Sequence, residues 1–119
     1  MAEYQELESI LKEIQALDGV YNAVLVARNG MHIAGMPPEG VFQDTFDAMC
    51  AILLGAAENV TSDLKERVNT IVVNLEATKI VVMNDGPKAL FVVRTRKDTD
   101  EGWIKAQLDK FSKRVEEIL

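Results

Sequence analysis

Apolar residues recur at steps of three and four from Tyr4 to Leu17, through Leu7, Ile10, Leu11 and Ile14, with Glu, Gln, Lys and Ser between them. The spacing predicts an amphipathic helix of about four turns, closed at Gly19 after Asp18, where glycine takes the left-handed conformation that ends a helix. The pattern then changes. Val20 to Arg28 is rich in β-formers and leads into Asn29-Gly30, the dipeptide suited to a type I′ hairpin turn, with a second strand from Met31 to Met36. Pro37-Pro38 stops that strand, because proline lacks the N–H a ladder requires. A second helical stripe, Phe42, Phe46, Met49, Leu53, Ala56 and Val60, places a helix at about residues 40–62. Val68 to Leu75, Lys79 to Asn84 and Lys88 to Thr95 read as three strands whose short connections force antiparallel pairing.

The runs Ile71-Val72-Val73, Ile80-Val81-Val82-Met83 and Ala89-Leu90-Phe91-Val92-Val93 are continuously apolar, so both faces of the sheet should be covered. Asp98 followed by Glu101 reads as a capping box, and Ile104, Leu108, Phe111, Val115 and Ile118 carry a third helix nearly to the end of the chain. The order α-β-β-α-β-β-β-α, without linker or internal repeat, describes one α+β domain over residues 1–119. Its antiparallel sheet of about five strands lies between helical layers.

The middle helix has a second face to explain. Opposite the stripe assigned to the sheet stand Gln43, Asp44, Asp47, Ala48, Ala51, Leu54, Gly55 and Glu58, apolar and small at the centre and acidic toward the ends. That composition suits a two-fold helix pair better than open water, and Gly55, costly inside a helix, is explained by a close contact. Alanine is also simply a good helix former, which is the plainer account. Val68 to Leu75, β-branched and paired only with its hairpin neighbour, reads as an open edge onto which a second copy could add its own.

Composition narrows the function. The chain is 119 residues long, 48% hydrophobic and 27% charged, and carries a formal net charge of −6, which argues against general nucleic-acid binding. The net negative charge lies in residues 1–60, which hold 9 acidic and 2 basic side chains against 10 and 11 in residues 61–119. The single cysteine, Cys50, excludes an internal disulfide and a Cys-rich zinc site, and a reducing cytoplasm is the expected location. Glu3, Glu6 and Glu8 stand where a signal peptide would be basic, and no apolar run approaches membrane-spanning length.

Candidate chemistry is sparse. His32, the only histidine, has no nearby Ser, Cys or carboxylate at catalytic or metal-ligand spacing, and is expected on the strand surface. Cys50 has no CxxC partner and reads as an inert thiol. Neither a GxGxxG nor a P-loop pattern occurs, so no nucleotide cofactor is expected. The basic groups Arg94, Arg96, Lys97 and Lys110, Lys113, Arg114 read first as solvated surface, with a second partner contact as the alternative. Trp103 is expected to pack between helix and sheet, with an interface anchor as the alternative.

The element order, the segment Gly19-Val20-Tyr21-Asn22-Ala23-Val24-Leu25-Val26, the turn Asn29-Gly30 before Met31-His32-Ile33-Ala34 and the Ala-rich middle helix together resemble the roadblock family, named with the dynein light chains. The resemblance covers nearly the whole chain. It implies a profilin-like sheet of strand order 2-1-5-4-3, with the first and third helices on one face and the second on the other. It also implies a non-catalytic dimer, formed through the third strand and second helix, that serves as a platform for small Ras-like GTPases. Carried onto this sequence, the dimer surface is Asn69, Thr70, Ile71, Val72 and Val73 with Ala48, Ala51, Leu54 and Gly55. Asp44, Asp47 and Glu58 are assigned to the partner, as rim carboxylates that steer a basic patch. A scaffold subunit without nucleotide dependence and a small-molecule sensor domain are the alternatives.

Overall fold

The computed structural model describes residues 2–119. Its elements are α1 (Ala2–Gln15), β1 (Val20–Ala27), β2 (His32–Met36), α2 (Gln43–Thr61), a 3-10 turn (Ser62–Leu64), β3 (Thr70–Asn74), β4 (Thr78–Asp85), β5 (Ala89–Arg96) and α3 (Glu101–Ile118). The strands form one sheet in the order β2-β1-β5-β4-β3, with every neighbouring pair antiparallel. The expected α+β architecture and strand order are both present.

Alternation along the strands divides the core in two. Leu11 and Ile14 of α1 and Ile104 and Leu108 of α3 pack with Ala23, Leu25, Val81, Phe91 and Val93 on one face of the sheet. On the other face Cys50 and Leu54 of α2 pack with Val24, Val26, Val82, Leu90 and Val92. Strands sandwiched in this way need apolar side chains at successive positions, which is why β4 and β5 read as unbroken hydrophobic runs. Each fully buried Leu, Ile or Phe contributes roughly 1.5–3 kcal/mol relative to exposure.

The β1–β2 turn differs from the type I′ expectation. Of its residues only Gly30 has positive φ, at 92°, while Asn29 does not enter the left-handed region and instead accepts the Met31 N–H on its Oδ1, at 3.1 Å. Gly30 N–H donates to the Ala27 carbonyl and Ala27 N–H to the Met31 carbonyl. The loop is thus a three-residue connection with its glycine in the left-handed conformation, the other common hairpin solution. The cap of α3 also shifts. Asp100, not Asp98, caps it, accepting the Trp103 N–H at 2.8 Å, while Asp98 bonds Arg96. Trp103 is 37% exposed and joins neither core.

The largest correction concerns which way α2 faces. The stripe assigned to the sheet points outward: Phe42 is 85% exposed, Val60 84% and Met49 56%, with Leu53 and Ala56 also exposed and only Phe46 half-buried. The face assigned to a partner points inward. Asp47 and Leu54 are fully buried, Cys50 joins them, and Ala51 packs against the same cluster. Leu54, Ala51 and Asp47 therefore belong to the chain's own core and cannot form an outer surface. Ala48 and Ala51 are small because the hairpin turn comes against them, not because a second helix does. A Cβ added to Gly30 would lie 3.1 Å from Ala48 Cα. Gly55 is half-buried, and a Cβ there would meet nothing within 4 Å.

Candidate interaction surfaces

The inward carboxylates are accommodated because the hairpin supplies a histidine and an arginine to meet them. Asp47 Oδ2 lies 2.7 Å from His32 Nδ1, joining the start of β2 to the first half of α2. Burial pushes the Asp47 carboxyl above its ordinary value, and the hydrogen bond with His32 pulls it part of the way back. Its Oδ1 is buried without a partner. Near the other end of the helix Glu58 pairs with Arg28, whose guanidinium also donates to Asn84 Oδ1 at 3.0 Å. Of the three acidic residues assigned to a partner, only Asp44 stands exposed.

His32 is thus half-buried and held by a carboxylate, where the sequence had suggested a free strand surface. Its partner is fifteen residues away, beyond any local spacing rule. Cys50 lies one turn after Asp47 on the same inner face. Burial, and then the Asp47 charge, push its thiol up to about 11, so the thiolate needed for nucleophilic work is suppressed at neutral pH. A further buried carboxyl, Asp85 at the end of β4, is pushed up to about 6 by burial, against the lowering effect of its hydrogen bond from Ser112. Local sequence held no sign of it. A strand-end aspartate before Gly86-Pro87 reads as a turn residue.

The two sheet edges are unlike. At β2, the Gly35 N–H donates to Glu8 Oε1 at 2.7 Å, and α1 packs over the strand. Gly35 has φ of 91°, and a Cβ there would lie 2.2 Å from the carbonyl oxygen of Ala23 on the neighbouring β1, so no other residue fits at this position. At β3, Thr70, Ile71, Val72 and Val73 are all half-buried, Asn69 and Asn74 are exposed, and the only ladder is with β4. Ile71 touches the α2-side core and Val72 the α1-side core. One edge is plugged, and the other presents a β-branched strand to solvent.

Met49, Ile52, Leu53, Ala56 and Val60 form an exposed apolar band along the outside of α2. Such a band is larger than the scattered apolar residues of an ordinary surface. No group of three or more His, Cys, Asp or Glu suited to a metal occurs among the described residues, and no helix among them is long and apolar enough to cross a membrane.

The family model for the Roadblock/LC7 domain matches residues 6–95, from α1 through most of β5. The chain belongs to the Roadblock/LC7 family. Among solved structures, this Roadblock/LC7 chain is similar to MglB in a tetrameric arrangement, with a TM-score of 0.87 and 23% identity over 99% of this chain and 90% of that one. The gliding protein MglB of Thermus thermophilus matches with a TM-score of 0.85 and 24% identity, over 99% of this chain and 91% of that one. Acanthamoeba castellanii profilin IB matches with a TM-score of 0.67 and 11% identity, over 94% and 98%. At these identities the likeness is one of fold, and it includes the profilin-like frame the sequence implied. No curated protein matches in sequence.

Proposed function

We propose that this Roadblock/LC7 chain is a non-catalytic homodimeric platform that docks a small Ras-like GTPase. Two observations carry the reading: the outer face of α2 presents an exposed apolar band, and β3 is an open sheet edge. Antiparallel pairing of Asn69–Val73 with the same segment of a second copy satisfies the free backbone groups of both edges, and a two-fold axis there brings the outer faces of two α2 helices into reach of each other. The helix residues of this dimer are Met49, Ile52, Leu53, Ala56 and Val60, in place of Ala48, Ala51, Leu54 and Gly55. Asp44, exposed in the first turn of α2, remains a carboxylate able to steer a basic partner. The GTPase is the partner class that the family resemblance implies, in the cytoplasm. The suppressed Cys50 thiol and the buried Asp47–His32 pair favour an adaptor over an enzyme.

Light scattering tests the dimer. Wild-type chain is expected at twice the 13.2 kDa chain mass, and Leu53→Arg at a single chain mass with its helical and sheet signals intact. A wild-type monomer, or a Leu53→Arg dimer, overturns the interface. Capture of Ras-like proteins loaded with GDP or with a GTP analogue then separates a nucleotide-sensing regulator from a scaffold that ignores the nucleotide.

A further inference from the structure

The α2 face of the sheet is covered at one end only. Helix α2 crosses the hairpin-turn end, where Asp47 meets His32 and Glu58 meets Arg28, so the opposite ends of β1, β5 and β4 are left without a helix above them. There Asn22 and Arg94 stand directly opposite each other across β1 and β5, with Thr78 diagonal on β4. Together with Tyr21, Glu39 and Ala77 they line a cleft of about 430 Å³.

Arg94 is held in one pose by three contacts. Its Nε donates to Thr78 Oγ1 at 3.3 Å, its Nη1 donates to Asn22 Oδ1 at 3.4 Å, and its guanidinium carbon sits 5.4 Å from the centre of the Tyr21 ring. Asn22 is itself oriented, its Nδ2 donating to the Pro37 carbonyl. Nη2 has no acceptor among the described residues. The other arginines differ. Arg28, Arg96 and Arg114 each hold a carboxylate, and Arg67 is exposed to water. Arg94 is half-buried and, among the described residues, has no carboxylate within 4.0 Å, in a chain whose net charge is −6. A guanidinium drawn partly out of water and fixed by neutral acceptors carries a desolvation cost that a bound anion would offset.

We propose that the Arg94 cleft is a docking site for a carboxylate side chain on an acidic segment of a partner protein. The free edge of the guanidinium, Nη2 and the outer hydrogen of Nη1, matches the two oxygens of one planar carboxylate. A phosphate dianion is a poorer match. The lining offers no second cation and includes the carboxylate of Glu39, so the single guanidinium is matched by one negative charge rather than two. The site involves neither β3 nor the outer face of α2, so it stands or falls apart from the dimer.

The test is NMR titration of the full chain with an acetylated penta-glutamate peptide, with penta-glutamine and inorganic phosphate as the comparison probes. Penta-glutamate is expected to give saturable shifts at the Arg94 Nε–H, Thr78 and Tyr21 signals, and penta-glutamine none. Arg94→Gln is expected to weaken binding about tenfold or more, the loss of a charge-assisted hydrogen bond, and Arg67→Gln to leave it unchanged. Thr78→Val keeps the charge and frees its pose. It provides a second variant should Arg94→Gln fold poorly, and is expected to weaken binding less. Shifts that persist in Arg94→Gln, or that spread over Lys110 and Lys113, overturn the proposal. So does phosphate binding more tightly than the peptide at the same signals, which would mark a general oxyanion site.

Discussion

The inner and outer faces of α2 reverse the usual reading of an amphipathic helix. The inner face carries Asp47, Glu58 and small alanines, yet Asp47 is fully buried. The outer face carries Phe42, Met49, Ile52 and Val60, yet stands open. Acidity inside is tolerated because each carboxylate has a partner already placed on the hairpin, His32 for Asp47 and Arg28 for Glu58. Apolarity outside remains without compensation in a single chain. The difference teaches that polarity alone does not set which side of a helix is buried. The polar side can go inward when its hydrogen bonds are provided for, and the apolar side left over is then available to a partner.

The sharpest way to break this comparison is to place a charge on each face. Ala51→Arg on the inner face drives a guanidinium into the cluster of Val24, Val26 and Leu90, and is expected to cost about 3 kcal/mol or more, enough to leave much of the chain unfolded. A well-folded Ala51→Arg chain that only changes its oligomeric state would return the inner face to the surface. Leu53→Arg, on the outer face, is expected to lower the mass in solution to that of a single chain and to leave the chain folded, as light scattering and circular dichroism would show.

A smaller effect is expected at the buried pair. Asp47→Ala strands His32 and leaves a void, costing about 2 kcal/mol at neutral pH in a denaturant melt. The folded chain holds the Asp47 proton to a higher pH than the unfolded chain, so Asp47's share of stability is greatest below the ordinary value of 3.8 and falls as pH rises through the lifted value. Asp47→Asn is expected to remove that slope, and an unchanged pH profile would mean that Asp47 is solvated. The smallest effect belongs to Glu58→Gln. Both side chains of the Arg28–Glu58 pair are about one-third exposed, so its loss should cost at most about 1 kcal/mol and shrink further in high salt. A loss as large as that of Asp47→Ala would erase the distinction between the two ends of the inner face.

Local chemistry made much of the fold legible. The 3.6-residue stripes of α1 and α3, the Asn29-Gly30 break and the continuous apolar runs of β4 and β5 lie within short windows. Together they defined the elements and the need for cover on both faces of the sheet. The open β3 edge was legible too, from β-branched residues joined by a short turn to only one neighbour. The facing of α2 was not. Its more apolar side is the one left outside, and the choice between the sides rests on His32 and Arg28, fifteen and thirty residues away.

By itself, then, the sequence determined the elements, their order and the antiparallel pairing of adjacent strands, because those depend on periodicity and turn chemistry close in the chain. Tertiary structure alone decided that Asp47 and Leu54 are core residues, that Glu8 plugs the β2 edge, and that Arg94 is fixed on a bare end of the sheet with no carboxylate within 4.0 Å among the described residues. Each of those depends on which distant groups meet. A hydrogen bond or ion pair stabilises a buried polar group only when the fold brings its partner within reach.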